Sequence, residues 1–319
     1  MVVRNVSALA VYDKTFVYSN DDLLAGILVS TECVLGFQLL VLVIIGSYRI
    51  PALKSPFGFL MINQNCAQLV ACANSGLFYI LGVVFNIDLI VNRGNWFGNL
   101  SIYLLPVILA SFFLMSLNRF CASVFPFKYT KIYSSNKLRF YVIVNWFLPV
   151  LASFYLLVAR DCTFAFYHFG WVFTEGVRNE NCGTAIVFYA MVVQLILCIL
   201  IFSLDLITLV ILMAFKTKIY MGTHSKEVRR REINFGIQVL IQGVVFVMHG
   251  FWYDMGYNWI PGDSEKWKIF LTTSFSSNLL HIFDPYSGRV YLQLRVSKMD
   301  FNQVHHREKP AQIDLRLGD

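Results

Sequence analysis

Long apolar runs alternate with short polar segments along almost the whole chain. Seven runs are long enough for membrane helices, because a hydrocarbon core about 30 Å thick requires about 20 apolar residues in a helix. A single run of this kind also fits a buried core helix, but seven runs joined by short loops favour a membrane bundle. The predicted spans are 23–48, 57–84, 100–117, 140–158, 185–215, 233–255 and 267–283.

The composition indicates a membrane protein rather than a soluble domain. Of the 319 residues, 57% are hydrophobic and 14% are charged, whereas soluble domains are ~45–50% apolar and ~25% charged. In a soluble protein, the formal net charge of +7 would suggest a nucleic acid or an acidic partner. Here the charges lie mainly between the apolar runs, so we expect a lipid membrane as the partner and no nucleic acid.

The distribution of Lys and Arg predicts the orientation of the bundle, because cytoplasmic loops retain positive charge. The segments 49–56, 119–139, 214–232 and 284–319 contain 19 of the 26 Lys and Arg residues. We therefore predict an all-α bundle of seven transmembrane helices with its amino terminus outside and its carboxyl terminus in the cytoplasm. The seventh run is short and contains TTSFSSN at 272–278; a chain with six spans would have both termini on one side.

This topology divides the chain into an extracellular leader at 1–22, a seven-helix membrane domain at 23–283 and a cytoplasmic tail at 284–319. The tail alternates apolar and basic residues at 290–299, which predicts a short amphipathic helix on the membrane, although a disordered tail also fits. The leader contains the triplet NVS at Asn5, a glycosylation acceptor on the lumenal side. Such triplets are also frequent by chance.

Two of the seven cysteines are predicted to form a disulfide. Cys162 and Cys182 are the pair that shares an aqueous loop on the oxidising side, and their bond would close a loop of about 20 residues worth roughly 3 kcal/mol in the chain-entropy model. The alternative is two free thiols.

The chain carries no motif that predicts an enzyme. It has no glycine-rich phosphate loop and no G-x-S-x-G nucleophile elbow. Two histidines lie in spans, but counting residues from the inner ends of their runs places His249 about 24 Å and His281 about 3 Å deep, too far apart to share a metal. We therefore expect no cofactor, no metal and no catalytic residues.

Polar residues within the spans are expected to face the interior of the bundle, because polar groups facing lipid are costly. In span two, Gln64, Gln68 and Cys72 lie on one helical face. Asp205 in span five has no evident basic partner at its depth, so we expect it to be protonated and hydrogen-bonded or to contact water in a cavity. Glu32 lies nearer the outer surface, where its carboxylate can reach the headgroups.

The segment SLNRFCASVFPFKYTK at 116–131 places a basic residue where the third apolar run ends. Arg119 follows Leu100 by 19 residues, or about 28 Å of helix, which predicts a guanidinium at the cytoplasmic face that avoids burial. Pro126 disfavours continuation of the helix.

This segment resembles the inner end of the third helix in rhodopsin-like G-protein-coupled receptors. There, an acidic-Arg-Tyr triplet leads into a loop that ends in Pro, an apolar residue, a basic residue and Tyr. Within that superfamily, NRFCA and FPFKY are most similar to the nematode serpentine chemoreceptors of class x (Srx). The matching positions are Asn118, Arg119 and Phe120 for the triplet, and Pro126, Phe127, Lys128 and Tyr129 for the loop.

The resemblance implies a receptor that binds a small extracellular ligand and activates an intracellular heterotrimeric G protein. Arg119 would change partners as span six moves outward and opens a cytoplasmic crevice. Glu232, at the inner end of span six, is a possible resting partner for Arg119, with a solvated charged flank as the alternative. Such a receptor belongs in the plasma membrane, in sensory neurons by resemblance.

The chain departs from the superfamily pattern at several positions. Asn118 replaces the acidic neighbour of the arginine, so an adjacent carboxylate cannot restrain Arg119. Asp284 and Pro285 resemble the start of the Asn-Pro-x-x-Tyr element, but Gly288 occupies the place of the tyrosine.

Aromatic residues in the outer half of the bundle are candidates for the ligand pocket, and core packing is the alternative for each. A membrane transporter or channel for a small solute is the alternative function, although no inverted repeat is evident. The pocket candidates are Tyr103, His249, Trp252 and Tyr253.

Overall fold

The computed structural model describes residues 17–49, 55–159, 162–175, 182, 192–219, 241, 243–245, 247–253 and 255–282. Within these ranges, a helix occurs at the position of each predicted span. The helices are α1 (Asn20–Arg49), α2 (Pro56–Phe78), α3 (Gly94–Val124), α4 (Ser135–Phe154), α5 (Gln194–Ile219), α6 (Gly243–Tyr253) and α7 (Glu265–Phe270).

Several of these helices continue in turns of a different type. π-Helical turns follow α2 at Tyr79–Val84, α4 at Tyr155–Ala159 and α7 at Leu271–Phe275. Residues 276–282 then extend α7 as an α-helix. Short helices also occur at Asp88–Val91, Pro126–Ile132 and Gly256–Asn258.

Five of the described helices are long and apolar enough to cross a membrane, namely α1 to α5 with their π turns. α3 extends at both ends beyond the predicted span 100–117, because the apolar run marks the hydrocarbon core whereas the helix continues into the polar boundary. One face of α4 is exposed through Phe140, Phe147, Leu151 and Phe154. Their spacing of 7, 4 and 3 residues forms a single apolar stripe that suits contact with lipid.

The starts of α1 and α2 are capped by short polar side chains. The Asp22 carboxylate accepts from the backbone N–H of Ser19 at 2.8 Å, while Asp22 N donates to Ser19 O at 3.1 Å. At α2, Ser55 Oγ accepts from the Gly58 N–H at 3.3 Å, and Pro56 occupies the first turn. These contacts satisfy amide donors that have no partner within the helix.

α3 lies at the centre of the bundle, in contact with α2, α4 and α5. A polar network joins three of these helices. Asn63 of α2 donates to Ser111 of α3 at 3.1 Å and accepts from the Trp146 indole of α4 at 2.7 Å. Asn145 of α4 also donates to Ser111, at 2.9 Å.

The predicted polar face of α2 is confirmed. Gln64, Gln68 and Cys72 are all buried, with relative exposures of 3%, 2% and 1%. Their side chains turn toward the neighbouring helices, as the cost of placing amides against lipid requires.

An antiparallel hairpin lies between α4 and α5 in sequence. It pairs β1 (Phe164–Tyr167) with β2 (Val172–Glu175), with Tyr167 opposite Val172. The predicted disulfide between Cys162 and Cys182 is present, with Cα atoms 5.3 Å apart, and packs against Leu156 and Phe164. We call this end of the bundle the disulfide end, and the opposite end, where α3 reaches Arg119, the arginine end.

Candidate functional site

A buried triad of polar side chains links α3 to α5 at the arginine end. Arg119 Nη2 donates to Asp205 Oδ1 at 2.7 Å and to Ser116 Oγ at 2.9 Å. Ser116 Oγ in turn donates to Asp205 Oδ2 at 3.1 Å. We call these three residues the Arg119 triad; its hydrogen bonds are charge-assisted and therefore stronger than those between neutral groups.

The triad overturns two expectations from the sequence. Only 10% of the Arg119 side chain and 3% of the Asp205 side chain are exposed, so the arginine does not avoid burial and Asp205 does have a basic partner. The physical reason is the direction of helical side chains, which tilt toward the amino-terminal end of their helix. Arg119 therefore reaches back into the bundle to the level of Ser116, and a depth estimated from its Cα atom is too shallow.

The neighbouring Asn118 contacts the loop that follows α3. Asn118 Nδ2 donates to the Tyr129 hydroxyl at 3.2 Å, and that hydroxyl lies 3.4 Å from Asn118 Oδ1. Tyr129 belongs to the short helix Pro126–Ile132, which begins at the predicted helix breaker. Burial raises the pKa of the Tyr129 phenol, while the hydrogen bond from Asn118 acts in the opposite direction.

Phe120, the third residue of the motif, also contacts the start of this loop, with its ring centroid 6.3 Å from that of Phe125. Three other predicted coupling residues, Glu232, Asp284 and Pro285, lie outside the described residues. The Arg119–Glu232 pairing therefore stays a prediction, as does glycosylation at Asn5, which also lies outside them.

The predicted pocket residues fall into two groups. Tyr103 of α3 donates to the Trp146 carbonyl of α4 at 3.2 Å. By contrast, three residues of α6 lie together: the Trp252 indole donates to the Leu271 carbonyl at 3.1 Å, and the His249 and Tyr253 rings are 6.4 Å apart. Tyr103 therefore contacts α4, whereas Trp252 contacts the π turn after α7.

The position of His249 corrects the depth estimate for the two histidines of the spans. Its Nε2 lies 3.4 Å from the hydroxyls of Ser276 and Ser277, and Ser277 is one helical turn from His281. The two histidines are therefore near each other, because the ends of apolar runs do not mark equal depths in different helices. In the part of the chain that the structure describes, no three His, Cys, Asp or Glu side chains are grouped so as to hold a metal ion.

The disulfide end contains a second ion pair, between buried Asp22 and partly buried Lys266, that the sequence did not reveal. Lys266 Nζ lies 3.2 Å from Asp22 Oδ1, and Trp171 at the tip of the hairpin donates to the same oxygen at 2.7 Å. The predicted topology puts Asp22 at the end of the leader and Lys266 in the outer loop between spans six and seven. The sequence shows one charge at the start of span one and another at the start of span seven, but it does not indicate that these two charges form an ion pair.

Comparison with known proteins identifies the family. The family model described as serpentine type 7TM GPCR chemoreceptor Srx matches residues 31–286. The chain belongs to this family. It is also similar to Serpentine receptor class X-43 of Caenorhabditis elegans, with 58% identity over 285 residues, which cover 89% of each protein.

The fold agrees with this membership. The crystal structure of squid rhodopsin matches with a TM-score of 0.71 and 12% identity, covering 92% of this chain and 89% of that one. The Srx chain is thus a seven-transmembrane chemoreceptor of the G-protein-coupled type, which confirms the resemblance carried by NRFCA and FPFKY. A transporter or channel is not favoured, and receptors of this type are typically not enzymes.

Proposed function

We propose that this Srx receptor lies in the plasma membrane of sensory neurons, binds a small extracellular molecule from the disulfide end and activates a heterotrimeric G protein at the arginine end. This proposal orients the amino terminus outside. The excess of Lys and Arg in the segments predicted to be cytoplasmic, which include 119–139 at the arginine end, supports the orientation, because positive loops remain in the cytoplasm.

The Arg119 triad is the observation that carries the proposal. A receptor needs a bundle with two arrangements whose equilibrium is biased by a ligand on one side and a partner on the other. The triad is a buried contact between α3 and α5 beside the predicted G-protein surface. We propose that it is a lock for the resting state, and that its opening frees Arg119 to contact a Gα subunit.

The energetics of burial suit such a lock. Removing one partner of a buried ion pair costs about 3–5 kcal/mol, because the other charge is left without compensation. Separating the two charges without new partners is therefore costly. In the active state, a Gα subunit and water would have to supply new partners for both charges.

The α6 residues His249, Trp252 and Tyr253 are the proposed ligand contacts. They lie beside α7, next to hydroxyl groups that can bind a polar ligand atom. Tyr103, whose hydroxyl donates a hydrogen bond to the Trp146 carbonyl of α4, is a further candidate.

The test uses a screen of small molecules on cells that express the receptor, followed by Gα nucleotide exchange on purified protein in liposomes. We expect an active compound to stimulate exchange with the wild type and not with Arg119→Ala. The matched control is Arg139→Ala, which removes an exposed basic residue from the same end and should retain the response. Stimulated exchange that is unchanged in Arg119→Ala would remove this residue from the coupling mechanism.

A further inference from the structure

The tip of the hairpin inserts a tryptophan into the bundle. Trp171 is 0% exposed, and its indole N–H donates to Asp22 of α1 at 2.7 Å. Its backbone carbonyl accepts from Tyr79 Oη at 2.5 Å and from Ser274 Oγ at 2.6 Å. This residue therefore makes hydrogen bonds to α1 and to the π turns that follow α2 and α7.

Aromatic and charged groups surround the indole ring. Lys266 Nζ lies 4.1 Å from the ring centroid in a cation–π contact, and the rings of Trp267 and Phe270 are 4.9 and 5.3 Å away. Such contacts are strongest when the groups are removed from water. We define the Trp171 cage as the residues that hold this side chain and its carbonyl, namely Asp22, Tyr79, Lys266, Trp267, Phe270 and Ser274.

The charges of the cage indicate which occupant it prefers. The Asp22 carboxylate is balanced by the Lys266 ammonium at 3.2 Å, so an occupant that carries a net charge would be left without a counter-ion. A neutral aromatic molecule with one N–H donor matches the carboxylate acceptor and the aromatic walls. A carbonyl on that molecule would match the two hydroxyl donors.

The hairpin backbone indicates that the cage, rather than the turn, determines the position of the indole. Trp171 has φ of 47° and Gly170 has φ of 81°; the first value is rare for a bulky residue. Such a backbone persists where the surroundings over-determine it, and it is concentrated at ligand clamps and switches. A Cβ atom at Gly170 would lie 2.5 Å from Ile269, so the turn is also fitted closely to α7.

We propose that the Trp171 cage is a recognition site for small neutral aromatic molecules of the indole class, which Trp171 occupies as a tethered ligand. An external molecule of this class would displace the hairpin tip and take over its contacts with α1, α2 and α7. The inference rests on the proposed function and adds a ligand class at a second site, whose residues do not include the α6 candidates His249, Trp252 and Tyr253. It is tested by binding alone, without a G protein, so the two proposals can fail separately.

The tether sets the affinity that an external molecule must overcome. A side chain linked through a short loop competes at an effective concentration on the order of millimolar. Free indole should therefore bind weakly to the wild type. Removal of the Trp171 side chain removes this competition and leaves space for a free indole, so the affinity should rise by about tenfold or more.

The experiment measures binding of radiolabelled indole to full-length receptor in nanodiscs by equilibrium dialysis. We expect Trp171→Ala to bind indole at least about tenfold more tightly than the wild type does. We also expect this variant to bind indole about tenfold more tightly than it binds 1-methylindole, because 1-methylindole lacks the N–H donor to a charged acceptor. Asp22→Ala in the Trp171→Ala background removes the acceptor and should remove most of this preference. The matched control is Trp96→Ala, which deletes a tryptophan that is 76% exposed and should behave as the wild type.

A second variant keeps the test decisive if Trp171→Ala fails to fold. Trp171→Phe retains a ring in the cage but has no donor for Asp22, so indole should displace it more readily than it displaces tryptophan. The proposal is overturned if either variant, shown to be folded by a cooperative thermal transition, binds indole no better than the wild type and Trp96→Ala.

Discussion

Arg119 of α3 is paired with Asp205 of α5, with 2.7 Å between Nη2 and Oδ1. The carboxylate that restrains the arginine therefore comes from another helix, while the position beside it in sequence holds Asn118. Asn118 instead contacts Tyr129 in the following short helix. The two neighbouring residues therefore have different contacts. Arg119 links α3 to α5, and Asn118 links α3 to the short helix that follows it.

The stability of the pair can be tested with a double-mutant cycle. Arg119→Leu and Asp205→Leu should each destabilise the receptor by about 3–5 kcal/mol, because each leaves one buried charge without a partner. The double variant should lose less than the sum of the two single losses, since it leaves no unpaired charge. Thermal unfolding in one detergent gives all four values.

The matched control for this cycle is Arg139→Leu combined with Asp205→Leu, because Arg139 is exposed. Distant sites usually add, so that combination should give the sum of its parts. If the losses of stability were also additive in the Arg119–Asp205 cycle, the charges of Arg119 and Asp205 would not depend on each other.

The sequence predicted the helices of this bundle well because crossing a membrane imposes a simple requirement on composition. Runs of apolar residues predicted a helix at each of the seven positions in the described residues, and five of these helices are long and apolar enough to cross a membrane. The shared loop identified the Cys162–Cys182 bond. The exact ends were less predictable, as α3 shows, because polar boundary residues continue a helix without changing the apolar pattern.

The pairings within the site were not predictable in the same way. Asp205 and Arg119 are 86 residues apart, and their contact depends on helix rotation and on the backward tilt of the arginine side chain. Trp171 and Asp22 are 149 residues apart, and their contact depends on how deeply the hairpin enters the bundle. A single sequence contains no measure of either quantity.

Tyr129 is expected to make stability depend on pH in the alkaline range. Burial raises its pKa in the folded receptor, whereas in the unfolded chain a tyrosine ionises near about pH 10. The unfolded state therefore loses this proton first, and stability falls as the pH rises above that value. Tyr129→Phe should weaken the decline of Tm between about pH 9.5 and 11, measured by thermal scans against the wild type.

A matched control for that experiment is Tyr48→Phe, which removes a tyrosine hydroxyl from a side chain that is 65% exposed. An equal slope in Tyr129→Phe and the wild type would count against a half-buried neutral phenol at this position.

The network between α2, α3 and α4 is expected to contribute to stability through one indole donor. Trp146→Phe removes the bond to Asn63 and leaves a buried acceptor unsatisfied, which costs about 1–3 kcal/mol. Thermal unfolding should register this loss. Trp96→Phe, at an exposed position, is the control and should leave the Tm unchanged; equal stability of the two variants would contradict the assigned role of the network.

The measurement that tests the resting lock most directly is ligand-free Gα nucleotide exchange by Asp205→Asn in liposomes. Loss of the carboxylate charge should free Arg119 and raise basal exchange by about fivefold or more, with a smaller rise in Ser116→Ala. Asp21→Asn, at an exposed position, should behave as the wild type. Basal exchange at or below the wild-type level in folded Asp205→Asn receptor would contradict the account.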